Sequence, residues 1–177
     1  MTSFILNTQV DEDYHQYTLQ YPSYTDIDKY MTSIADGIKT QDILYDYIIG
    51  VSRGGLVPAV ILSHKLGVKL LPVDYSSSKG AGDNVGSHLN SSLDHSSVVL
   101  EGKDILIVDD IYDTGNTIRE LVAHYIKIGA NSIDTAVIYY KERQDEFGLY
   151  APPFTPNFYA INIPENAPFI YFPWEIE

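Results

Sequence analysis

The sequence contains no cysteine and few basic residues, with 11 Lys and Arg against 24 Asp and Glu and a formal net charge of −13. A chain without thiols has no disulfide framework, thiolate metal site or cysteine nucleophile. Nucleic-acid binding is not expected, because neutralising phosphates requires a basic surface. Any anionic ligand must therefore be held by local donors or a divalent cation, and not by the charge of the whole protein.

Long apolar runs are also missing. No segment approaches the roughly 20 apolar residues that span a bilayer, and the polar start, Met1 to Ser3, lacks the charge pattern of a signal peptide. We therefore expect a cytoplasmic protein with no membrane partner. Its 177 residues, 45% hydrophobic and 20% charged, are typical of one globular domain.

Apolar runs that alternate with helical patterns predict an α/β fold with a mainly parallel sheet. The predicted strands are residues 47–51, 68–73, 105–108 and 133–140. A capping-box pattern at Thr25 and Asp28 predicts the start of one helix, and Pro58 and Gly67 predict the two ends of another. The buried stripe of a third helix is predicted to contain Ile118, Leu121, Val122, Tyr125 and Ile126.

Residues 105–118 carry the most specific functional pattern. Asp109 and Asp110 follow four aliphatic residues, which predicts a buried strand with an acidic pair at its carboxyl end. Asp113 comes next, and residues 114–117, Thr-Gly-Asn-Thr, open a helix whose N–H groups and hydroxyls can surround a phosphate. Helix capping alone would explain either end of this pattern. Three carboxylates so close together would repel one another without a cation or a polyol, which favours a site for Mg²⁺ or sugar hydroxyls.

Residues 52–55, Ser-Arg-Gly-Gly, form a second candidate site after the strand predicted at 47–51. The glycines let the backbone approach a ligand closely, and Arg53 supplies a planar set of donors for phosphate oxygens. The alternative is a simple helix-entry turn with a solvated Arg53. Loops at the carboxyl ends of parallel strands share one edge of the sheet, so both candidate sites are predicted to line one cleft.

Residues 105–118 resemble the phosphoribosyl pyrophosphate (PRPP) motif of the type I phosphoribosyltransferases, and residues 51–58 resemble the pyrophosphate loop of the xanthine-guanine members. The resemblance implies that Asp109 and Asp110 contact the ribose hydroxyls and Mg²⁺. It also implies that Asp113 is a catalytic residue near the base and that residues 114–117 bind the 5′-phosphate. The implied PRPP-binding residues are Ser52, Arg53, Gly54, Gly55, Asp109, Asp110, Asp113, Thr114, Gly115, Asn116 and Thr117.

The same resemblance implies three base-binding residues. Lys141, directly after the strand predicted at 133–140, matches a Lys that meets the exocyclic oxygen of the purine. Phe169 matches an aromatic residue that stacks on the base, and Ile170 would supply backbone contacts. Position alone favours a solvated side chain for Lys141, and the alternative for the tail aromatics is that they are hydrophobic anchors or a dimer contact.

We predict one domain over residues 1–177, with a core at about 25–141, a hood from about 1–24 and 142–177, and a mobile lid at about 75–101. Relatives imply a homodimer or homotetramer. The implied activity is Mg²⁺-dependent transfer of ribose 5-phosphate from PRPP to a 6-oxopurine (guanine, xanthine or hypoxanthine), releasing pyrophosphate. The alternatives are a non-catalytic PRPP sensor, a transferase for another base, and a phosphotransfer domain.

Overall fold

The computed structural model describes residues 21–76, 88–89, 98–142 and 155–175. The helices are α1 (Tyr24–Thr40), α2 (Leu56–Leu66) and α3 (Asn116–Lys127). The strands are β1 (Tyr47–Ser52), β2 (Lys69–Ser76), β3 (His88–Leu89), β4 (Asp104–Tyr112), β5 (Ser132–Glu142) and β6 (Phe158–Pro164). Most of the predicted N-terminal hood segment and much of the predicted lid lie outside the described residues.

The strands form one sheet in the order β3-β2-β1-β4-β5-β6. Every neighbouring pair is parallel except β2 and β3, which are antiparallel. The chain passes from β1 to β2 through α2 and from β4 to β5 through α3. This arrangement confirms the predicted α/β fold and brings the carboxyl ends of β1, β4 and β5 to one edge.

Helices cover both faces of the sheet and create two apolar layers. On one face, Ile34 of α1 and Leu62 of α2 pack with Val108 of β4. On the other face, Leu121 of α3 packs with Ile107. Consecutive residues of β4 therefore serve opposite layers, as the two-residue period of a strand requires. Full burial of each such side chain contributes about 1.5–3 kcal/mol to folding.

The helix α1 begins two residues earlier than predicted. Ser23 is the N-cap: its hydroxyl accepts from the Asp26 amide at 3.2 Å, while its own amide donates to the Asp26 carboxylate at 3.0 Å. The predicted capping box at Thr25 and Asp28 is therefore wrong. Both pairs have the required spacing, and the earlier cap adds two residues to the hydrogen-bonded helix.

Two further predictions differ from the structure. Ile126 is 63% exposed, because it lies at the edge of a stripe formed by Ile118, Leu121, Val122 and Tyr125. β6 pairs in parallel with β5 and buries Phe158 and Ile163. This part of the segment assigned to the hood is thus a strand of the central sheet, made stable by the apolar layer that it completes.

Candidate active site

β4 continues through the acidic pair to Tyr112, so Asp109 and Asp110 lie within the strand and not at its end as predicted. Side-chain alternation breaks here, since Ile107 and Tyr112 pack in the same layer although an odd number of positions separates them. The Asp110 amide donates to Asp109 Oδ1 at 3.0 Å, and the Ile111 amide donates to Asp110 Oδ1 at 2.8 Å. These bonds hold both carboxyl groups against their own backbone.

The acidic pair is electrostatically unfavourable in the ligand-free protein. Burial and the neighbouring Asp110 charge raise the pKa of Asp109 well above its usual range. Burial also raises the pKa of Asp110 to about 6, and the Glu175 carboxylate contributes further to this increase. A cation or a set of hydroxyl donors beside the pair would stabilise its ionised form.

The pair fits the chemistry of Mg²⁺, which prefers hard oxygen ligands and is commonly held by one or two carboxylates together with substrate oxygens and water. In the described ranges, no group of three or more His, Cys, Asp or Glu residues is arranged to hold a metal ion. Among these residues, Asp109 and Asp110 would hold Mg²⁺ together with oxygens of a bound ligand or water. Such a site suits an ion that arrives with a phosphorylated substrate.

The glycines after β1 pack tightly against β4. A methyl group added at Gly54 would overlap the Asp110 carboxyl group. One added at Gly55 would lie 2.6 Å from the carbonyl oxygen of Val108 and 2.8 Å from the Cα of Asp109. Only glycine permits this approach, so the Ser-Arg-Gly-Gly loop and the acidic pair form one continuous surface.

The other two residues of this loop differ: Ser52 is hydrogen-bonded to β2, and Arg53 is exposed. Ser52 ends β1, and its hydroxyl donates to Asp74 Oδ1 at 3.0 Å on β2. The Ser52–Arg53 peptide bond is cis. Arg53 itself is exposed, so its guanidinium group is accessible to an anion in the cleft.

We expect Gly54→Ala to weaken PRPP binding at least about tenfold, because the added methyl group must displace the Asp110 carboxyl group. Overpacking should also destabilise the fold by about 1–3 kcal/mol. Calorimetric titration with PRPP and Mg²⁺, beside urea unfolding, measures both effects. Gly67→Ala is the control: it meets no atom within 4 Å but has a φ of 69°, so it should destabilise the fold without changing PRPP affinity. Unchanged affinity in Gly54→Ala would contradict this prediction.

Residues 113–117 connect β4 to α3 and form the predicted phosphate loop. Gly115 precedes the helix with a φ of 72°, a conformation that favours glycine. The hydroxyl of Thr114 accepts from the Asn116 amide at 3.4 Å, and Asn116 and Thr117 form the first helical turn. The N-cap residue, Gly115, has no side chain that could cap α3, and the first turn of α3 contains no acidic residue. These features leave the positive end of the helix suited to an anion.

Tyr112 supports this loop and was not identified from the sequence. A methyl group added at Gly115 would overlap the hydroxyl and ring of Tyr112, whose side chain is only 2% exposed. Arg119, one turn into α3, donates to the side-chain oxygen of Asn116. The sequence did offer one signal for this role, a bulky aromatic residue immediately before Asp-Thr-Gly. The contact between Tyr112 and Gly115, however, depends on how the loop turns.

Asp113 and Lys141 meet across β4 and β5. The register pairs Tyr112, the last residue of β4, with Tyr140, so the chain leaves β4 at Asp113 beside Lys141 of β5. Lys141 Nζ lies 3.6 Å from Asp113 Oδ1, with side-chain exposures of 19% and 45%. The pair thus brings a cationic donor and an anionic acceptor together at the sheet edge that carries Asp109 and Asp110.

The two predicted base-binding residues in the tail differ in burial. Ile170 is buried in the core, which leaves only its backbone for ligand contacts, whereas Phe169 is 65% exposed. Phe169 packs edge to face on Tyr171 at 4.8 Å, and Tyr171 stacks on Tyr21 at 5.2 Å. The structure joins Phe169 to these exposed rings, and the tail residue that influences the acidic pair is Glu175.

Comparisons with known proteins agree with this geometry. The model of the phosphoribosyl transferase domain family matches residues 14–160. The xanthine-guanine phosphoribosyltransferase of Chromohalobacter salexigens is 28% identical over 126 residues, which cover 68% of this chain and 72% of that protein. A purine phosphoribosyltransferase from Pyrococcus horikoshii aligns with a TM-score of 0.66 and 30% identity, over 89% of this chain and 94% of that one.

A hypothetical protein of Neisseria gonorrhoeae, solved with bound ppGpp, has the same fold, with a TM-score of 0.69 and 24% identity over 91% of this chain and 92% of that one. Within the described ranges, no helix is both long and apolar enough to cross a membrane.

The family model spans most of the chain and includes both loops of the candidate site. The protein is therefore a member of the phosphoribosyltransferase family.

Proposed function

We propose that this protein is a Mg²⁺-dependent purine phosphoribosyltransferase that transfers ribose 5-phosphate from PRPP to a 6-oxopurine and releases pyrophosphate. The observation that carries the proposal is the Asp113–Lys141 pair, 3.6 Å apart, beside the acidic pair and the phosphate loop. The relative named as a purine enzyme supports a purine base, and the 28% identical xanthine-guanine relative supports a 6-oxopurine.

The Asp113–Lys141 pair matches one edge of a 6-oxopurine. Such a base presents its exocyclic oxygen O6 next to N7, whereas adenine presents an amino donor at the same place. The ammonium of Lys141 can donate a hydrogen bond to O6, and the carboxylate of Asp113 can accept one from a protonated N7. Adenine would instead set its amino group against an ammonium, which disfavours it.

The remaining residues account for the sugar and its phosphates. Asp109 and Asp110 would hold the ribose hydroxyls, which keeps the anomeric carbon in line with the attacking N9 of the base. Arg53 and the backbone of Gly54 and Gly55 would bind the leaving pyrophosphate as its negative charge increases. Mg²⁺, when bound, would neutralise part of that charge. Asp113 would accept the N7 proton as N9 attacks.

The proposal is tested by incubating the protein with PRPP, Mg²⁺ and one of guanine, xanthine, hypoxanthine, adenine, uracil or orotate. Pyrophosphate release and nucleotide formation are followed together. Turnover confined to the 6-oxopurines is expected. Turnover with adenine or a pyrimidine would reject the base assignment, and PRPP binding without turnover on any base would indicate a sensor.

Lys141→Met should lower kcat/KM for the preferred 6-oxopurine about 10- to 100-fold, because it removes a charged hydrogen bond while keeping most of the apolar side chain. PRPP affinity should change much less. Lys39→Met, an exposed Lys in the last turn of α1, is the matched control and should leave both quantities unchanged. An equal loss in PRPP affinity would remove Lys141 from base recognition.

A further inference from the structure

We infer that Asp74, to which no role was assigned from the sequence, is a positioning residue for the pyrophosphate loop and acts through Ser52. This inference rests on the proposed function. β1 and β2 are parallel and in a register that pairs Ser52 with Asp74. The Ser52 hydroxyl donates to Asp74 Oδ1 at 3.0 Å. The bond therefore ties the last residue of β1, immediately before Arg53, to the neighbouring strand.

The direction of this hydrogen bond changes the role expected for Ser52, which was predicted to bind PRPP. A hydroxyl group carries one proton, and Ser52 donates that proton to Asp74. It cannot at the same time donate to a phosphate oxygen. The Asp74 carboxylate is itself an acceptor and would repel a phosphate. We therefore expect the side chain of Arg53 to contact pyrophosphate. Ser52 and Asp74 fix the position of the first residue of the loop.

The loop is held on its opposite side as well. β1 lies between β2 and β4 in the sheet. Gly54 packs against the Asp110 carboxyl group, and Gly55 packs against the backbone of β4. The loop is therefore held by one neighbouring strand through a hydrogen bond and by the other through close packing. Such preorganisation lowers the conformational entropy that the loop loses on binding a ligand.

A double-mutant cycle separates positioning from direct binding. Ser52→Ala and Asp74→Ala should each weaken PRPP binding about tenfold, as expected for a lost hydrogen bond to a charged group. The double variant should be no weaker than either single variant, because both remove the same bond. Asp74→Asn should stay within about threefold of wild type, since its amide oxygen still accepts. Thr40→Ala removes a hydroxyl bond on α1 and is the control.

A second measurement does not depend on PRPP. Hydrogen exchange at the amide of Leu56, which donates to the Arg53 carbonyl at 3.2 Å across this loop, should be faster in Ser52→Ala and Asp74→Ala in the ligand-free protein and unchanged in Asp74→Asn. If wild-type protein binds no PRPP, the proposed function fails, and the exchange rates still decide the inference. Unchanged exchange in both alanine variants would overturn it.

Two binding results would also overturn the inference. Additive losses, with Ser52→Ala much more damaging than Asp74→Ala, would mean that the Ser52 hydroxyl contacts PRPP directly. A loss in Asp74→Asn as large as that in Asp74→Ala would mean that the charge of Asp74 acts on its own, as it would beside a cation.

Discussion

Asp113→Asn should lower kcat about 100- to 10,000-fold, the usual range for removing a general acid or base. Asn has nearly the shape of Asp but cannot take the proton of a base nitrogen. The PRPP dissociation constant should change less than about threefold, because the acidic pair and the phosphate loop are intact. Single-turnover kinetics and calorimetric titration with PRPP give the two quantities separately.

The control for this experiment is Asp36→Asn, an exposed carboxylate on α1. It makes the same chemical change elsewhere on the protein and should leave both kcat and PRPP affinity unaltered. Because Asp113 also pairs with Lys141, base affinity should fall in Asp113→Asn as well. Equal losses in kcat and in PRPP affinity would count against a role for Asp113 in proton transfer.

Asp110→Asn should stabilise the ligand-free protein at neutral pH. The pKa of Asp110 is raised to about 6 in the folded state, against 3.8 for the free side chain. The folded protein therefore binds this proton more tightly, and the free energy of unfolding falls as the pH rises from about 4 to 6. Above that range the full penalty of the buried charge remains, up to about 3 kcal/mol, and Asn removes it.

The measurement is urea unfolding in EDTA at several pH values between 4 and 8. Other carboxyl groups also titrate in this range, so the relevant quantity is the difference between wild type and Asp110→Asn. The difference should grow with pH and level off above about 7. The Asn oxygen can still accept from the Ile111 amide, which preserves the local backbone bond. A difference that does not vary with pH would refute this prediction.

The same substitution should impair function. Asp110→Asn removes half of the carboxylate pair proposed to hold the ribose and Mg²⁺, so PRPP affinity in the presence of Mg²⁺ should fall while the apo fold becomes more stable. Opposite changes in stability and affinity are expected where a buried charge serves a ligand. Asp109 should behave similarly, because burial and the Asp110 charge raise its pKa as well.

Local patterns in the sequence were sufficient for much of the fold. Pro58 and Gly67 lie at the two ends of α2 as predicted, and Gly67 adopts the left-handed conformation expected of a helix C-cap. The apolar runs predicted the four central strands, since a strand buried on both faces needs continuous apolar residues. The acidic motif and the Ser-Arg-Gly-Gly turn were visible because their residue types are unusual after such strands.

Local patterns predicted the structure less well where two sites had the same pattern, or where a strand depends on pairing with its neighbour. Thr25 and Asp28 have the spacing of a capping box, yet Ser23 and Asp26 form it. β6 was not recognised as a strand of the sheet, because its stability comes from pairing with β5 and not from its own composition. The continuation of β4 past the acidic pair likewise depends on pairing with β5.

The pattern of residues along the chain was enough to predict the α/β fold, the position of the acidic motif and the family. Three contacts became visible only in the folded protein: Lys141 meets Asp113, Gly54 contacts Asp110, and Ser52 donates to Asp74. Each of these pairs joins residues that lie in, or directly after, different strands. Their meeting depends on the register and twist of the whole sheet, which the packing of all its layers sets together and which no local pattern encodes.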